Sequence, residues 1–152
     1  DSAGGGLAAG LAQRRRGQVA FQLLLYPLLQ LVSIRKDKPR WQEGPILSTE
    51  MLAQIRETYL DDPAQAADPR VSPLMADDLK GLAPAYMLAA ELDPLLDEGR
   101  AYAERLWAFG VKCEREEIAG APHGFLNMTK LMGAAKPALE GAARKLAQGL
   151  GV

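Results

Sequence analysis

Three short apolar stretches, each set among segments of helical character, limit what this chain can fold into more than any other feature. Val19–Tyr26 is almost wholly apolar and stops at Pro27, as a buried strand does. Ala85–Leu92 is a second stretch of the same kind. Val111–Ile118 alternates apolar and charged residues, which predicts a strand polar on one side and near a sheet edge. Leu7, Leu11 and the alanines between them suit a helix packed close against a sheet. Ser48 or Thr49 can cap a helix whose apolar positions are Met51, Leu52, Ile55 and Tyr59. Asp93 as N-cap and Pro94 at the first position predict another, with Leu95, Tyr102, Leu106 and Phe109 on one face and Gly110 at its end. A last helix is expected over Lys136–Gln148, with Pro137 in its first turn. Ile34–Pro45 and Asp61–Pro73 are polar, proline-broken loops. Strands alternating with helices imply an α/β fold of parallel strands joined by right-handed crossovers. Three strands do not make a comfortable doubly covered sheet, so the expectation is half of a larger one.

Composition narrows the function classes. At 152 residues, 48% hydrophobic and 24% charged, the chain is ordinary for a globular protein. A formal net charge of -1 gives no global attraction to nucleic acid or to an anionic membrane. The densest basic run, Arg14-Arg15-Arg16, is read as the end of a helix, where cations oppose the dipole. No apolar run approaches the roughly 20 residues that span a bilayer. One cysteine, Cys113, excludes an intramolecular disulfide and a cysteine-based metal site, and fits a reducing compartment such as the cytoplasm. In its strand Cys113 reads as a small buried residue. Trp41, Leu47, Met51 and Ile55 read as core by their spacing, with a pocket wall as the other reading.

Chemistry starts from the single histidine, His123, which sits beyond a strand in a Pro-His-Gly-Phe loop. On its own it is a surface or hydrogen-bonded histidine. Ser2 supplies context: flanked by small residues, it fits a nucleophile elbow, where a strand turns sharply into a helix and leaves the hydroxyl exposed. The Ala3 amide would then point at a forming oxyanion. The glycines lack the spacing and the Gly-Lys-Ser/Thr ending of phosphate-binding loops. Asp93 follows the second strand, where α/β sheets place functional groups, and a carboxylate there can hold a histidine tautomer. Asp97 and Glu98 are the runners-up, better suited to solvent or local pairing. The order Ser2, Asp93, His123 is the order of α/β-hydrolases.

With these residues in place, the chain resembles the hormone-sensitive-lipase-like family of α/β-hydrolase esterases. Asp1-Ser2-Ala3-Gly4-Gly5 is similar to that family's elbow, and Asp93-Pro94-Leu95-Leu96-Asp97-Glu98 to its acid motif, with Leu96 where arginine is common. Pro122-His123-Gly124-Phe125 matches its histidine loop, and Ser72-Pro73-Leu74 and Leu82-Ala83-Pro84-Ala85 have its character. The resemblance covers essentially residues 1–152 and implies the C-terminal half of the fold, with 34–73 near the pocket and cap. It implies Ser2 as nucleophile, His123 as general base and acid, Asp93 as orienting carboxylate and Ala3 as a backbone oxyanion donor. Gly4 and Gly5 would permit close helix packing. Hydrolysis of small esters with short or medium acyl chains would proceed through an acyl-serine, with no cofactor and no metal. A homodimer through Val111–Ile118 and the last helix is a further implication.

The family's His-Gly-Gly-Gly loop and the strand feeding the elbow are absent from the sequence. The 152 residues alone are therefore expected to be inactive and poorly soluble, with Val19–Tyr26 an open apolar edge. Two alternatives stand beside the esterase reading: a non-catalytic ligand-binding module on a hydrolase scaffold, and an amide or lactone hydrolase using the same residues.

Overall fold

The computed structural model describes residues 1–34 and 44–152, so most of the loop read at Ile34–Pro45, with Trp41, lies outside the described residues. In chain order the elements are α1 (Ser2–Arg14), β1 (Gln22–Leu25), α2 (Thr49–Tyr59), β2 (Ala85–Leu92), α3 (Leu96–Ala108), β3 (Cys113–Pro122) and α4 (Ala135–Leu150). Short 3-10 turns occupy Pro63–Ala67, Pro73–Met75 and Phe125–Asn127. The strands form one parallel sheet in the order β1-β2-β3.

Strand β2 is central, and its first six residues are buried on both faces, which is why it reads as a continuous apolar run. Ala85 and Met87 face a core shared with Ala9 of α1 and with Tyr102, Ala103 and Leu106 of α3. Tyr86, Leu88 and Ala90 face the opposite core, built with Phe125 and with Ala138 and Ala142 of α4. Helices on both faces complete the three layers.

The sheet edges differ from the sequence reading in ways that pairing explains. β1 is shorter than Val19–Tyr26 because Gln22 pairs with Ala85, the first residue of β2, and Tyr26 leaves the strand with φ 36°. β3 is an edge strand as expected, but it runs on past Ile118 to Pro122. Ala90 pairs with Ile118 and Leu92 with Pro122, so four steps on β3 match two on β2. Gly120 lies in this bulge at φ 67°, its N–H donating to Glu91 Oε2 at 2.7 Å.

Two helix readings also change. α3 starts at Leu96 with Leu95 as N-cap, not at Asp93, and Pro94 lies before the helix. Asp93 turns the chain instead, its Oδ1 accepting from the Leu95 N–H at 2.9 Å. Ser48 caps α2 by accepting from the Met51 N–H at 3.2 Å. Of the apolar α2 positions only Leu52 is buried; Met51, Ile55 and Tyr59 are exposed, which corrects the core reading of Met51 and Ile55. Leu47 is core, packing with Leu52 and Leu95. The segment Asp61–Pro73 holds a 3-10 turn with a capping box from Asp62 and Gln65. Arg14 closes α1 as expected, and Arg16 reaches on to Asp78 and the Lys80 carbonyl.

Candidate active site

Each strand delivers a polar or aromatic residue at its carboxyl end: Tyr26 after β1, Asp93 after β2, His123 after β3. Ser2 stands at the N-terminus of α1, whose face toward the sheet contributes Gly5, Gly6 and Ala9. This end of a parallel sheet is where α/β folds place ligands.

Ser2, Asp93 and His123 are brought together although they lie far apart in sequence. Ser2 Oγ is 2.8 Å from His123 Nε2, and His123 Nδ1 is 2.7 Å from Asp93 Oδ2. Asp93 is 1% exposed and His123 9%, so the carboxylate is shielded while the ring keeps a narrow opening. Both Asp93 oxygens are engaged, Oδ1 by Leu95 N–H and Oδ2 by the imidazole, which fixes the carboxylate plane. Gly124, at φ 71°, turns the chain immediately after His123. A hydroxyl, an imidazole and a buried carboxylate in this series can take a proton off the hydroxyl and return it elsewhere.

Ser2 carries φ 49°, a left-handed conformation that costs a serine about 1–2 kcal/mol. Its carbonyl accepts from Leu28 N–H at 3.0 Å. The first amide bonded back inside α1 is that of Gly5, to the Asp1 carbonyl at 3.0 Å, and the Asp1 side chain makes no capping bond. Ala3 lies in the first turn of α1, whose N–H groups have no acceptor within the helix and stand at the positive end of its dipole.

The glycine expectation shifts by one residue. A side chain at Gly4 would meet open space, whereas a Cβ at Gly5 would lie 2.8 Å from Pro27 Cβ. A Cβ at Gly6 would overlap the Leu28 carbonyl oxygen. The close approach is therefore at Gly5 and Gly6, between α1 and the segment leaving β1.

The runners-up separate. Asp97 pairs with Arg100 at 3.7 Å, as local pairing predicts. Glu98 does not face solvent: it is 8% exposed and its Oε1 accepts from Leu29 N–H at 2.6 Å. Tyr26 was not singled out by sequence, though Pro27 marked the turn that follows it. Its ring meets His123 edge-on with centroids 5.0 Å apart, and Phe125 at 5.9 Å. Burial, and after it the nearby Asp93 charge, push the Tyr26 phenol above its ordinary value. Cys113 is buried as read, which pushes its thiol up to about 11. A cavity of about 100 Å³, mainly apolar, opens beside Ala3, with Leu7, Leu28, Ile55, Tyr59 and Val71 in its wall. Ile55 thus belongs to a pocket wall. No described helix is long and apolar enough to cross a membrane.

Comparison with known proteins agrees with this fold. Residues 1–127 match the model of a family described as having the alpha/beta hydrolase fold. The carboxylic ester hydrolase LipN of Mycobacterium tuberculosis is 37% identical over 142 residues, 88% of this chain and 38% of LipN. The ethyl acetate hydrolase of Pseudomonas putida is 36% identical over 137 residues, 87% of this chain and 43% of that protein. Among solved structures, the thermophilic carboxylesterase EstE1, cloned from a metagenomic library, superposes with a TM-score of 0.88 at 35% identity, covering 99% of this chain and 53% of EstE1. The chain thus spans about half the length of the relatives it matches, or less. By this match and by its elbow, acid and histidine motifs, the chain belongs to the alpha/beta hydrolase fold family, among its hormone-sensitive-lipase-like members.

Proposed function

We propose that these residues form the catalytic half of a carboxylic ester hydrolase that works through an acyl-serine. The observation that carries the reading is the continuous hydrogen-bonded series from Ser2 through His123 to Asp93, at 2.8 and 2.7 Å. Ser2 Oγ attacks the ester carbonyl as His123 Nε2 takes its proton; the C–Oγ bond forms and the carbonyl oxygen becomes an oxyanion facing the Ala3 amide. Collapse of that intermediate breaks the ester C–O bond, and Nε2 returns the proton to the departing alkoxide. Water then repeats the sequence on the acyl-serine, with His123 as base and then as acid, and releases the carboxylic acid. Asp93 holds Nδ1 protonated and stabilises the imidazolium at each step. No cofactor enters this chemistry.

The substrate is a small ester with a short to medium acyl chain. The cavity beside Ala3, about 100 Å³ and walled by Leu7, Leu28, Ile55 and Tyr59, suits a chain of a few carbons. On this reading, 34–73 forms the pocket side and cap. The buried, unreactive thiol fits a cytoplasmic protein, and the outer edge of β3, unpaired among the described residues, is with α4 the surface we assign to a homodimer.

The test is intact-mass spectrometry of the protein carrying this chain at its full length, before and after a fluorophosphonate probe. One adduct on Ser2 is expected. It should disappear in Ser2→Ala and His123→Ala, with p-nitrophenyl acetate turnover falling roughly 10⁴–10⁶-fold. An adduct on another residue, or turnover retained in Ser2→Ala, would overturn the assignment.

A further inference from the structure

The segment leaving β1, Leu28 to Leu31, has no strand partner among the described residues, yet its backbone is held at nearly every step by other elements. Leu28 N–H donates to the Ser2 carbonyl at 3.0 Å, and the Leu28 carbonyl lies over Gly6 where a Cβ would overlap it. Leu29 N–H donates to Glu98 Oε1 at 2.6 Å, and the Leu29 carbonyl accepts from Leu74 N–H at 3.0 Å. Leu31 N–H donates to Ser72 Oγ at 2.8 Å, with Ser72 fully buried. Glu98 Oε2 also accepts from Gln30 Nε2 at 3.0 Å.

This segment is therefore a strut between two parts of the site. One end grips the peptide of Ser2, which sits in an unfavourable conformation that something outside its own helix must hold. The other is anchored to α3, which starts three residues beyond Asp93. Glu98 lies in the first turn of α3, so its carboxylate links the acid's helix to the nucleophile's backbone.

Resting on the esterase reading above, we propose that Glu98 is a positioning residue: it sets where the Ser2 hydroxyl stands relative to His123 without touching substrate. The bond from Leu29 N–H to Glu98, adjacent to the bond from Leu28 N–H to Ser2, is the route. Misplacing a reacting group by about 1 Å can cost on the order of 10²-fold in rate, so a lever of this kind reads out in kcat.

The experiment compares Glu98→Ala, Glu98→Gln and Ala142→Gly in the full-length protein. Ala142 packs in the opposite core on α4, so Ala142→Gly loosens the fold without entering this route. Glu98→Ala should lower kcat for p-nitrophenyl acetate by roughly 10- to 100-fold, with KM changed by less than about threefold. Glu98→Gln, which keeps an acceptor for Leu29 N–H, should recover most of that loss, and Ala142→Gly should keep kcat while lowering Tm. Hydrogen exchange supplies a readout that does not need turnover: Glu98→Ala should speed exchange in 2–7 and 25–31 and leave β3 and α4 protected. Should Glu98→Ala not fold, Ser72→Ala frees the far end of the same strut and should show the same kcat and exchange pattern more weakly. Unchanged exchange in 2–7 overturns the proposal. So does a Glu98→Gln variant as slow as Glu98→Ala, which would make charge the cause and not the Leu29 bond. A wild type that neither turns over nor labels at Ser2 defeats the esterase reading alone, since the exchange arm still decides the coupling.

Discussion

Gly6 shows how a single hydrogen atom can decide a site. Its Cα lies against the Leu28 carbonyl oxygen, and a methyl group there would have to displace backbone on one side or the other. The Leu28 carbonyl belongs to the residue whose N–H holds the Ser2 carbonyl, so a loss of packing becomes a loss of alignment. Gly6→Ala should cost about 2–4 kcal/mol of stability, measured by urea unfolding, although alanine is the better helix former. Gly4→Ala, two residues earlier in the helix, meets open space, and there the helix propensity should win and raise stability by up to about 1 kcal/mol. Opposite signs for two neighbouring glycines test the packing account directly; equal signs would sink it.

At the scale of elements, α3 and β3 are tied by an ion pair. Arg100 Nε and Nη2 reach the two Glu117 carboxylate oxygens at 2.9 and 2.6 Å. The guanidinium, by hydrogen bonding first and charge second, holds the Glu117 carboxyl below its ordinary value of 4.5. A depressed carboxyl means that the unfolded chain takes up the proton first as pH falls. The pair thus contributes its full stability above about pH 4.5 and loses it as pH falls through the lower folded value. Half exposed on the arginine side, it is worth about 0.5–1 kcal/mol. The stability gap between wild type and Glu117→Gln should be open at pH 7 and should narrow as pH falls below about 4.5. The elements themselves were legible to different degrees. β2 was read to the residue because both of its faces are buried. β1 and β3 were misjudged at their ends because their limits depend on the partner's register and, for β3, on a bulge. The start of α3 was misread because Asp93 followed by Pro94 carries the cap signal, while the Asp93 carboxylate is engaged by His123 across 30 residues. Ser2, Asp93 and His123 were visible as types at strand ends. Tyr26 was not, and Glu98 was read as facing solvent or a local partner, since aromatic packing on a ring and a buried bond to a distant amide leave no local pattern.

Over the whole molecule, the exposed apolar groups are the main feature. Leu7 and Leu11 on α1 are 62% and 55% exposed, and among the described residues β1 pairs only with β2. Isolated apolar side chains on a surface are normal, but a helix face of this kind beside an unpaired strand edge favours association. The 152 residues alone should therefore elute from a sizing column as concentration-dependent oligomers. Leu7→Lys with Leu11→Lys should raise the monomer fraction, and an unchanged profile would move the cause elsewhere. The Ser2–His123 hydrogen bond has a different bearing at this scale, because it joins residues 121 apart. Such a contact closes a loop that contains all three strands, the slowest kind of contact to form. During refolding, helical signal can return while Ser2 still lacks its imidazole partner, so the Ser2–His123 bond, formed only when β3 has docked, serves as a clock for the completed sheet.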